Sequence, residues 1–245
     1  MKTYPSRVDT LNLGKWGAIQ FKQWLFGVEP PPLTEAWVDH VARLVPKGSF
    51  AIDIGAFTGD TAIPMALAVG RDGLVLAFEP GPASFHILVD NMNLNRLPQI
   101  VCSPTAVMPK AGDYTFHYTD TGYINGGFSS SLDISPAGCG NLIPWIVQGV
   151  HLTDYLAAHY ADWLPKLSFI KIDTEGYDKE LLKANRALLC EYRPIVQVEA
   201  YPFLSERERR DLADTIESLG YVPDVPRALL LAPNPNPFDV ICKPL

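Results

Sequence analysis

The sequence has little positive charge, and this shortage excludes one common class of protein. Its 245 residues include 20 Lys and Arg against 27 Asp and Glu, which gives a formal net charge of −7. Proteins that bind nucleic acid rely on clustered Lys and Arg to neutralise phosphates. Basic residues are scattered here, so we do not expect nucleic acid as a partner.

Cysteine is also scarce, and no two cysteines form a Cys-x-x-Cys pair. The four that are present lie far apart, at Cys102, Cys139, Cys190 and Cys242. This spacing argues against a zinc site, and reduced thiols in the cytosol are the simplest interpretation. No other ligand spacing demands a metal, so the sequence predicts none.

Long apolar runs are missing as well. No run reaches the roughly 18 residues of a membrane-spanning helix, and no apolar stretch follows Lys2 as it would in a secretory signal. We therefore expect a cytoplasmic protein that does not bind membranes. The composition is nevertheless 47% hydrophobic, which is enough for the core of one large α/β domain at this length.

Short buried strands alternate with helical patterns along most of the chain. The predicted strands lie near 49–54, 74–78, 99–102, 167–172 and 194–198, and helices near 60–70, 83–95 and 179–189. This order predicts a parallel sheet with right-handed crossovers. Two further strands, Tyr221-Val222 and 238–242, are expected to form an edge pair.

Two segments fall outside this pattern. Residues 1–32 end in three prolines, which forbid a helix through them. We predict an aromatic-rich extension that packs on the single domain of residues 33–245, covers a pocket or contacts a second subunit. Residues 103–150 are rich in Gly and Ser and are predicted to be a long irregular insertion, which in compact domains is often functional. Its aromatics favour a substrate-facing loop, with predicted contacts from Tyr123, Phe128, Ser129 and Ser130.

The segment from Phe50 to Asp60 is typical of a buried strand that enters a glycine turn and then a helix, which Asp60 or Thr61 would cap. Such a loop at the carboxyl end of a parallel strand binds nucleotides in doubly wound proteins. Its G-x-x-x-G spacing differs from the G-x-G-x-x-G of dinucleotide sites. The flanking Asp53 and Asp60 would repel a pyrophosphate, and they suit a cofactor with a cationic amino-acid part, such as S-adenosylmethionine.

Carboxylates also end the later strands. Glu79 ends the second strand, where it can accept both ribose hydroxyls of a nucleoside. Asp173 and Glu175 follow the fourth strand, and Lys171 lies two residues before Asp173 on the same face. Glu199 ends the fifth strand and is a candidate substrate contact.

These segments together resemble the FkbM-type S-adenosylmethionine-dependent methyltransferases over roughly residues 48–200. The resemblance rests on FAIDIGAFTGDT (50–61), AFEP (77–80) with later asparagines, and KIDTEG (171–176). It implies a Rossmann-like, mostly parallel seven-stranded sheet with helices on both faces, and methyl transfer to oxygen, often a sugar or polyketide hydroxyl. The chain departs from the family at 174–178 and in its own insertion. The predicted cofactor contacts are Asp53, Gly55, Ala56, Phe57, Thr58, Gly59, Asp60, Thr61, Glu79 and Pro80.

Methyl transfer to a hydroxyl is an in-line displacement in which positioning supplies much of the acceleration. The hydroxyl must lose a proton, so a general base within hydrogen-bond reach helps. Either Asp173 or Glu175 is the expected base, and Lys171 either pairs with Asp173 or orients the acceptor oxygen.

Other functions remain open from the sequence alone. Carboxyl methylation would need no base, a nicotinamide-dependent oxidoreductase would use the same fold, and a non-catalytic module would bind the cofactor without transfer. The acceptor is expected to be a small molecule, and a homo-oligomer is compatible with the sequence.

Overall fold

Strands and helices alternate through most of the chain. The computed structural model describes residues 5–25, 33–119, 126–128, 142–174, 176–201, 204–232 and 239–245. The strands are β1 Ser6–Asn12, β2 Ala18–Trp24, β3 Phe50–Ile54, β4 Leu74–Phe78, β5 Ile100–Ser103, β6 Ala106–Val107, β7 Gly112–Thr119, β8 Gly126–Phe128, β9 Leu142–Val150, β10 Leu167–Ile172, β11 Ile195–Glu199, β12 Tyr221–Pro223 and β13 Asp239–Pro244. The helices are α1 Glu35–Leu44, α2 Ala62–Val69, α3 Pro82–Leu94, α4 Leu152–His159, α5 Asp178–Ala184, α6 Arg186–Tyr192, α7 Glu206–Ser218 and α8 Arg227–Leu230.

Seven strands form the main sheet in the order β12-β13-β11-β10-β3-β4-β5. Neighbouring strands from β11 to β5 are parallel, and β13 runs antiparallel to both β11 and β12. This confirms the predicted Rossmann-like sheet and its edge pair. The strand order reverses between β3 and β10, and in such sheets the ligand crevice lies at this point, beyond the carboxyl ends of the strands.

The central strands are buried on both faces, as in parallel sheets covered by helices on each side. Every residue of β3 and β4 is buried. Phe50, Ile52 and Ile54 pack into the core that includes α4 to α7, whereas Ala51 packs into the core of α1 and α2 on the opposite face. Side chains alternate along a strand, so Asp53 lies on the same face as Ala51.

The helix ends follow the sequence closely, with two exceptions. Thr34 caps α1 by accepting a hydrogen bond from the Trp37 N–H, and Ser205 caps α7 in a capping box. At α2, however, Thr61 occupies the N-cap position but does not cap the helix, because its hydroxyl donates to the carboxylate of Asp53. The single helix predicted at 179–189 is wrong, since α5 and α6 meet at Asn185. No helix in the described part of the chain is long and apolar enough to cross a bilayer.

The N-terminal segment contains a β-hairpin of β1 and β2, which the sequence did not predict. The hairpin packs on α3 through two asparagines. Asn95 accepts from the Gln20 N–H at 2.8 Å and donates to the Gln20 carbonyl at 2.6 Å, and Asn91 makes the same pair of bonds with Lys22 at 2.6 and 3.0 Å. Asparagine amides therefore bond to the outer edge of β2.

The described part of residues 103–150 is not irregular, which corrects the prediction from composition. Four of its strands form a second sheet in the order β6-β9-β7-β8. The alternation at 113–118 did indicate β7. Its partner β9 was hidden, because Pro144 and Gly149 interrupt an otherwise apolar run, and because β9 pairs with β7 across a long stretch of chain.

Candidate active site

Three loops meet at the carboxyl edge of the main sheet, where β3, β4 and β10 end. The N–H groups of Gly55 and Ala56 donate to the Phe78 carbonyl at 3.0 and 2.9 Å. The Asp173 N–H donates to the Ile54 carbonyl at 3.0 Å. Backbone bonds therefore continue past the strand ends and hold the three loops together.

Gly55 is required by this close approach. Its φ is +81°, in the left-handed region that glycine favours, and a Cβ placed there would lie 1.9 Å from the Asp173 carbonyl oxygen. No side chain fits that gap. The glycine thus allows the loop after β10 to reach the β3–α2 loop (55–61), and it brings Asp173 to the predicted cofactor site.

Glu79 ties two of the loops to each other. Its Oε2 accepts from the Phe57 N–H at 2.8 Å, and its Oε1 accepts from the Gly81 N–H at 2.7 Å. Glu79 is only 7% exposed, and burial raises its pKa to about 7. Each carboxylate oxygen has a second lone pair, so the group can still accept two ribose hydroxyls.

The β3–α2 loop turns at Phe57 and Thr58. Phe57 has a φ of +46°, and its ring meets that of Trp24 edge-on at 5.4 Å. The Thr58 carbonyl accepts from Asn91 Nδ2 at 2.9 Å. The Thr58 hydroxyl is buried without a hydrogen-bond partner among the described residues, which is costly in a protein interior unless a ligand supplies one.

A buried lysine lies between two aspartates. Lys171 and Asp53 are register partners on β10 and β3, with Nζ 3.7 Å from Asp53 Oδ1 and 2.9 Å from Asp173 Oδ2. Burial raises the pKa of Asp53 against the opposing effect of Lys171. Burial alone would lower the lysine's pKa, but the carboxylates of Asp173, Asp53 and Asp60 outweigh it, and the pKa is raised. The ammonium is therefore a fixed positive charge.

Asp53 and Asp60, the predicted flanking carboxylates, have different surroundings. Asp53 is fully buried, and its Oδ2 accepts from the Thr61 hydroxyl at 2.6 Å. Asp60 keeps part of its surface open to solvent, and burial raises its pKa to about 6. Asp53 thus fixes the start of α2 and the lysine, and Asp60 is the more accessible of the two.

Asp178 holds the loop after β10, and the sequence reasoning missed it. Its Oδ2 accepts from the Thr174 N–H and hydroxyl at 3.2 and 2.8 Å, and its Oδ1 accepts from the Glu199 N–H at 3.1 Å. Burial, with the nearby charge of Asp173, raises the pKa of Asp178 to about 7. An aspartate in the first turn of a helix is common, so only its burial reveals this role.

The second sheet lies against the same edge. Its core of Ala106, Met108, Phe116 and Val147 packs against side chains that include Trp24, Ala83 and Tyr177. These three belong to the hairpin, to α3 and to the loop after β10. The predicted insertion therefore adjoins the site, although its contact with a substrate stays a prediction.

The structure brings most of the predicted site residues together and leaves others undescribed. Asp173 lies at the edge with about a third of its side chain exposed (33%), and half-buried Glu199 lies at the end of β11. Four predicted residues fall outside the described part of the chain: Tyr123, Ser129, Ser130 and Glu175. Phe128 is described only as backbone of β8, opposite Phe116.

Comparisons with known proteins agree with this geometry. The family model of the methyltransferase FkbM domain matches residues 53–223. Curated proteins give no match. Among solved structures, one assigned as a SAM-dependent methyltransferase from Streptococcus mutans is 9% identical to this chain, with a TM-score of 0.53. The match covers 99% of this chain and 56% of the Streptococcus mutans chain. The methyltransferase FkbM from Methylobacillus flagellatus KT is 14% identical to this chain, with a TM-score of 0.49. The match covers 84% of this chain and 49% of the Methylobacillus chain.

This chain thus spans about half the length of each of those two proteins. The likeness to the first shows a shared fold. The family match is broader evidence, because it covers more than half of the chain and contains all the loops that meet at the carboxyl edge. The chain belongs to the FkbM family of S-adenosylmethionine-dependent methyltransferases.

Proposed function

We propose that the protein transfers a methyl group from S-adenosylmethionine to a hydroxyl of a sugar or other small natural product. The observation that carries this proposal is Asp173, a partly exposed carboxylate held at the carboxyl edge against the β3–α2 loop. The family assignment replaces the nicotinamide-dependent alternative. The family match does not specify the acceptor, and the residues around Asp173 support the proposal for it.

The β3–α2 loop offers groups that suit the methyl donor. Glu79 would accept the ribose hydroxyls through its second lone pairs, and the buried Thr58 hydroxyl would bond a polar atom of the same ligand. Asp60, the more accessible flanking carboxylate, would face the cationic amino-acid part. When bound, the donor supplies a methyl group on a positively charged sulfur, which is already activated for displacement.

Asp173 would take the proton of the acceptor hydroxyl. Its backbone is fixed by the bond to Ile54 and by contact with Gly55, and its Oδ2 is paired with Lys171. Such a rigid carboxylate can be placed within hydrogen-bond reach of an acceptor, as a general base requires. Glu175 stays the other candidate base.

Lys171 would position Asp173 rather than contact the acceptor. Its side chain is only 6% exposed, and its Nζ lies between the carboxylates of Asp53 and Asp173. An orienting role toward the acceptor oxygen would need the ammonium to leave these partners. The buried pair therefore supports the first of the two roles that the sequence left open.

Two partly buried aromatics near the loop that follows Asp173 support a small organic acceptor. Tyr177 follows the β10 loop and packs against the second sheet, and Tyr201 lies where a Cβ on Gly176 would come within 3.0 Å of its ring. Aromatic faces bind the apolar faces of rings while nearby polar groups fix their orientation. Glu199 and the predicted residues of the insertion would complete the acceptor wall.

The test is methyl transfer from donor labelled in its methyl group to a panel of glycosides, phenols and carboxylic acids. We expect product from hydroxyl acceptors, and the label should survive mild alkali because a methyl ether is stable where a methyl ester hydrolyses. Label released by alkali would assign carboxyl methylation instead.

Asp173→Asn separates transfer from binding in the same assay. We expect kcat to fall by about 10²- to 10⁴-fold, the usual contribution of a general base, while S-adenosylhomocysteine binds with unchanged affinity. Asp154→Asn, at a side chain 84% exposed, is the matched control and should transfer as wild type does. Full turnover by Asp173→Asn would remove Asp173 from the mechanism.

A further inference from the structure

The N-terminal hairpin contacts the β3–α2 loop at its tightest turn. Trp24, the last residue of β2, is half-buried and lies edge-on to the Phe57 ring at 5.4 Å. Phe57 in turn donates its N–H to Glu79. Trp24 lies outside the family match, which begins at residue 53. Its ring therefore contacts the residue whose N–H holds the predicted ribose acceptor, Glu79.

Asn91 joins the same two regions from the other side. Its side-chain nitrogen donates to the Lys22 carbonyl at 3.0 Å and to the Thr58 carbonyl at 2.9 Å, and its oxygen accepts from the Lys22 N–H at 2.6 Å. Asn91 is fully buried. One amide thus fixes β2 and Thr58 relative to each other, next to the Thr58 hydroxyl, which has no hydrogen-bond partner in the described part of the chain.

Charge adds to the docking of the hairpin. Lys22 Nζ lies 2.6 Å from Asp90 Oδ2, and both side chains are partly buried, at 23% and 31% exposure. The turn itself needs support, because a non-glycine residue with positive φ, such as Phe57, is uncommon and strained. Trp24 of the hairpin supplies a ring contact at Phe57. Asn91 of α3, which is itself bonded to β2, supplies an amide bond at Thr58, the second residue of that turn.

We propose that the hairpin β1–β2, docked on α3, is a working part of the methyl-donor site, and that Trp24 on the hairpin and Asn91 on α3 are positioning residues. They hold the Phe57–Thr58 turn in the conformation that presents Glu79 and Thr58 to the donor. The hairpin therefore sets the affinity for the donor without contributing to the chemical step. This inference rests on the cofactor and not on the identity of the acceptor.

The experiment measures S-adenosylhomocysteine binding to the full chain by calorimetry. Trp24→Ala should weaken binding at least about fivefold, as expected for loss of an aromatic contact. Trp24→Phe should restore most of the affinity, because a smaller ring still meets Phe57. Asn91→Ala should weaken binding about tenfold through the lost bond to Thr58.

Asn95→Ala is the matched control. Asn95 directly follows the last residue of α3 and makes the same pair of bonds to the hairpin, at Gln20. Among the described residues, no hydrogen bond joins Asn95 to the β3–α2 loop. The variant should bind S-adenosylhomocysteine within twofold of wild type. An equal loss in Asn95→Ala would show that hairpin docking as a whole matters and would overturn the route through the turn.

Two further results would also overturn the proposal. One is wild-type affinity in Trp24→Ala, which remains informative even if Asn91→Ala fails to fold. The other is Trp24→Phe binding as weakly as Trp24→Ala in folded protein. If methyl transfer can be followed, the substitutions should raise KM for the donor and leave kcat unchanged.

Discussion

The two halves of the carboxyl edge differ in how far the carboxylates at their strand ends are closed off. In the half formed by β3 and β4, Asp53 is fully buried and Glu79 is 7% exposed, and both are bonded to neighbouring loops. In the half formed by β10, Asp173 leaves a third of its side chain exposed beside half-buried Thr174 and Tyr177. The halves touch at backbone distance, where the absence of a Cβ on Gly55 leaves room for the Asp173 carbonyl.

This difference matches two separate tasks. A site for one unvarying ligand gains from polar groups that are fixed before binding, since less freedom is lost on association. A site for proton removal needs a carboxylate that an acceptor can reach. The closed half is thus suited to the donor and the open half to the acceptor, and substitutions can test whether the halves are separable.

Gly55→Ala should have the largest effect, because it forces the halves apart. The new Cβ would meet the Asp173 carbonyl in a left-handed backbone conformation. We expect the free energy of unfolding in urea to fall by more than about 4 kcal/mol, or no folded protein at all.

Gly48→Ala provides the control for Gly55→Ala. Gly48 shares the positive φ, at +76°, but no atom of the described residues lies within 4 Å of a Cβ built there. Its substitution should therefore lower the free energy of unfolding by only about 1–2 kcal/mol. Equal losses at the two glycines would mean that close approach of the loops does not matter.

Lys171→Met should come next, because it leaves two carboxylates without the charge between them. Removing one partner of a buried ion pair costs about 3–5 kcal/mol. The loss of unfolding free energy should be greater at pH 8 than at pH 5. At the lower pH the buried Asp53 can take up a proton and lose its unpaired charge, because burial already raises its pKa. Lys183→Met, at an exposed ion pair, should cost less than about 1 kcal/mol at both pH values.

Asp178→Asn should change how stability depends on pH. The folded-state pKa of about 7 lies above the ordinary value of 3.8, so the stabilisation is complete below about pH 4 and is lost as pH rises through 7. For this group alone, the free energy of unfolding falls by up to about 1.4 kcal/mol per pH unit in that window. Urea titrations at several pH values from 5 to 7.5 should show that the free energy of unfolding falls less steeply with pH in the variant than in wild type. An unchanged dependence on pH would contradict the assignment.

Glu79→Gln should have the smallest effect and should be confined to the donor half. Ionised Glu79 accepts hydroxyls best, and its pKa is about 7, so S-adenosylhomocysteine should bind more tightly as pH rises from 6 to 8. The variant should bind about tenfold more weakly and lose much of that pH dependence. The exposed Glu206→Gln should retain both properties. An unchanged affinity in Glu79→Gln would remove this residue from the donor site.

The sequence predicted the strands and the glycine turn at the carboxyl edge well because their signals are local. The bounds of β4 and β10 agree with the prediction residue for residue, since each is a short apolar run bounded by turn residues. The glycine turn and its flanking carboxylates lie within a dozen residues. Family membership followed from such segments.

The rest depends on contacts between distant parts of the chain. β1 is polar and has no buried residue, so its strand character comes from pairing with β2. A polar residue in the middle of a helical pattern, such as Asn91, is usually expected on a solvated face, yet Asn91 is fully buried against the hairpin and the turn. Residue type alone could not distinguish these positions, because burial is set by which helix face meets which strand.

The asparagine pair on α3 also has a consequence for solubility. A two-stranded ribbon presents rows of unpaired N–H and C=O groups, which can template edge-to-edge association with other chains. The side-chain amides of Asn91 and Asn95 bond to the outward N–H and C=O groups of Lys22 and Gln20. The two asparagines are four residues apart, about one helical turn, and this spacing matches two residues along the strand. The helix thus serves β2 as a substitute neighbouring strand, and it protects that edge from aggregation without adding a third strand.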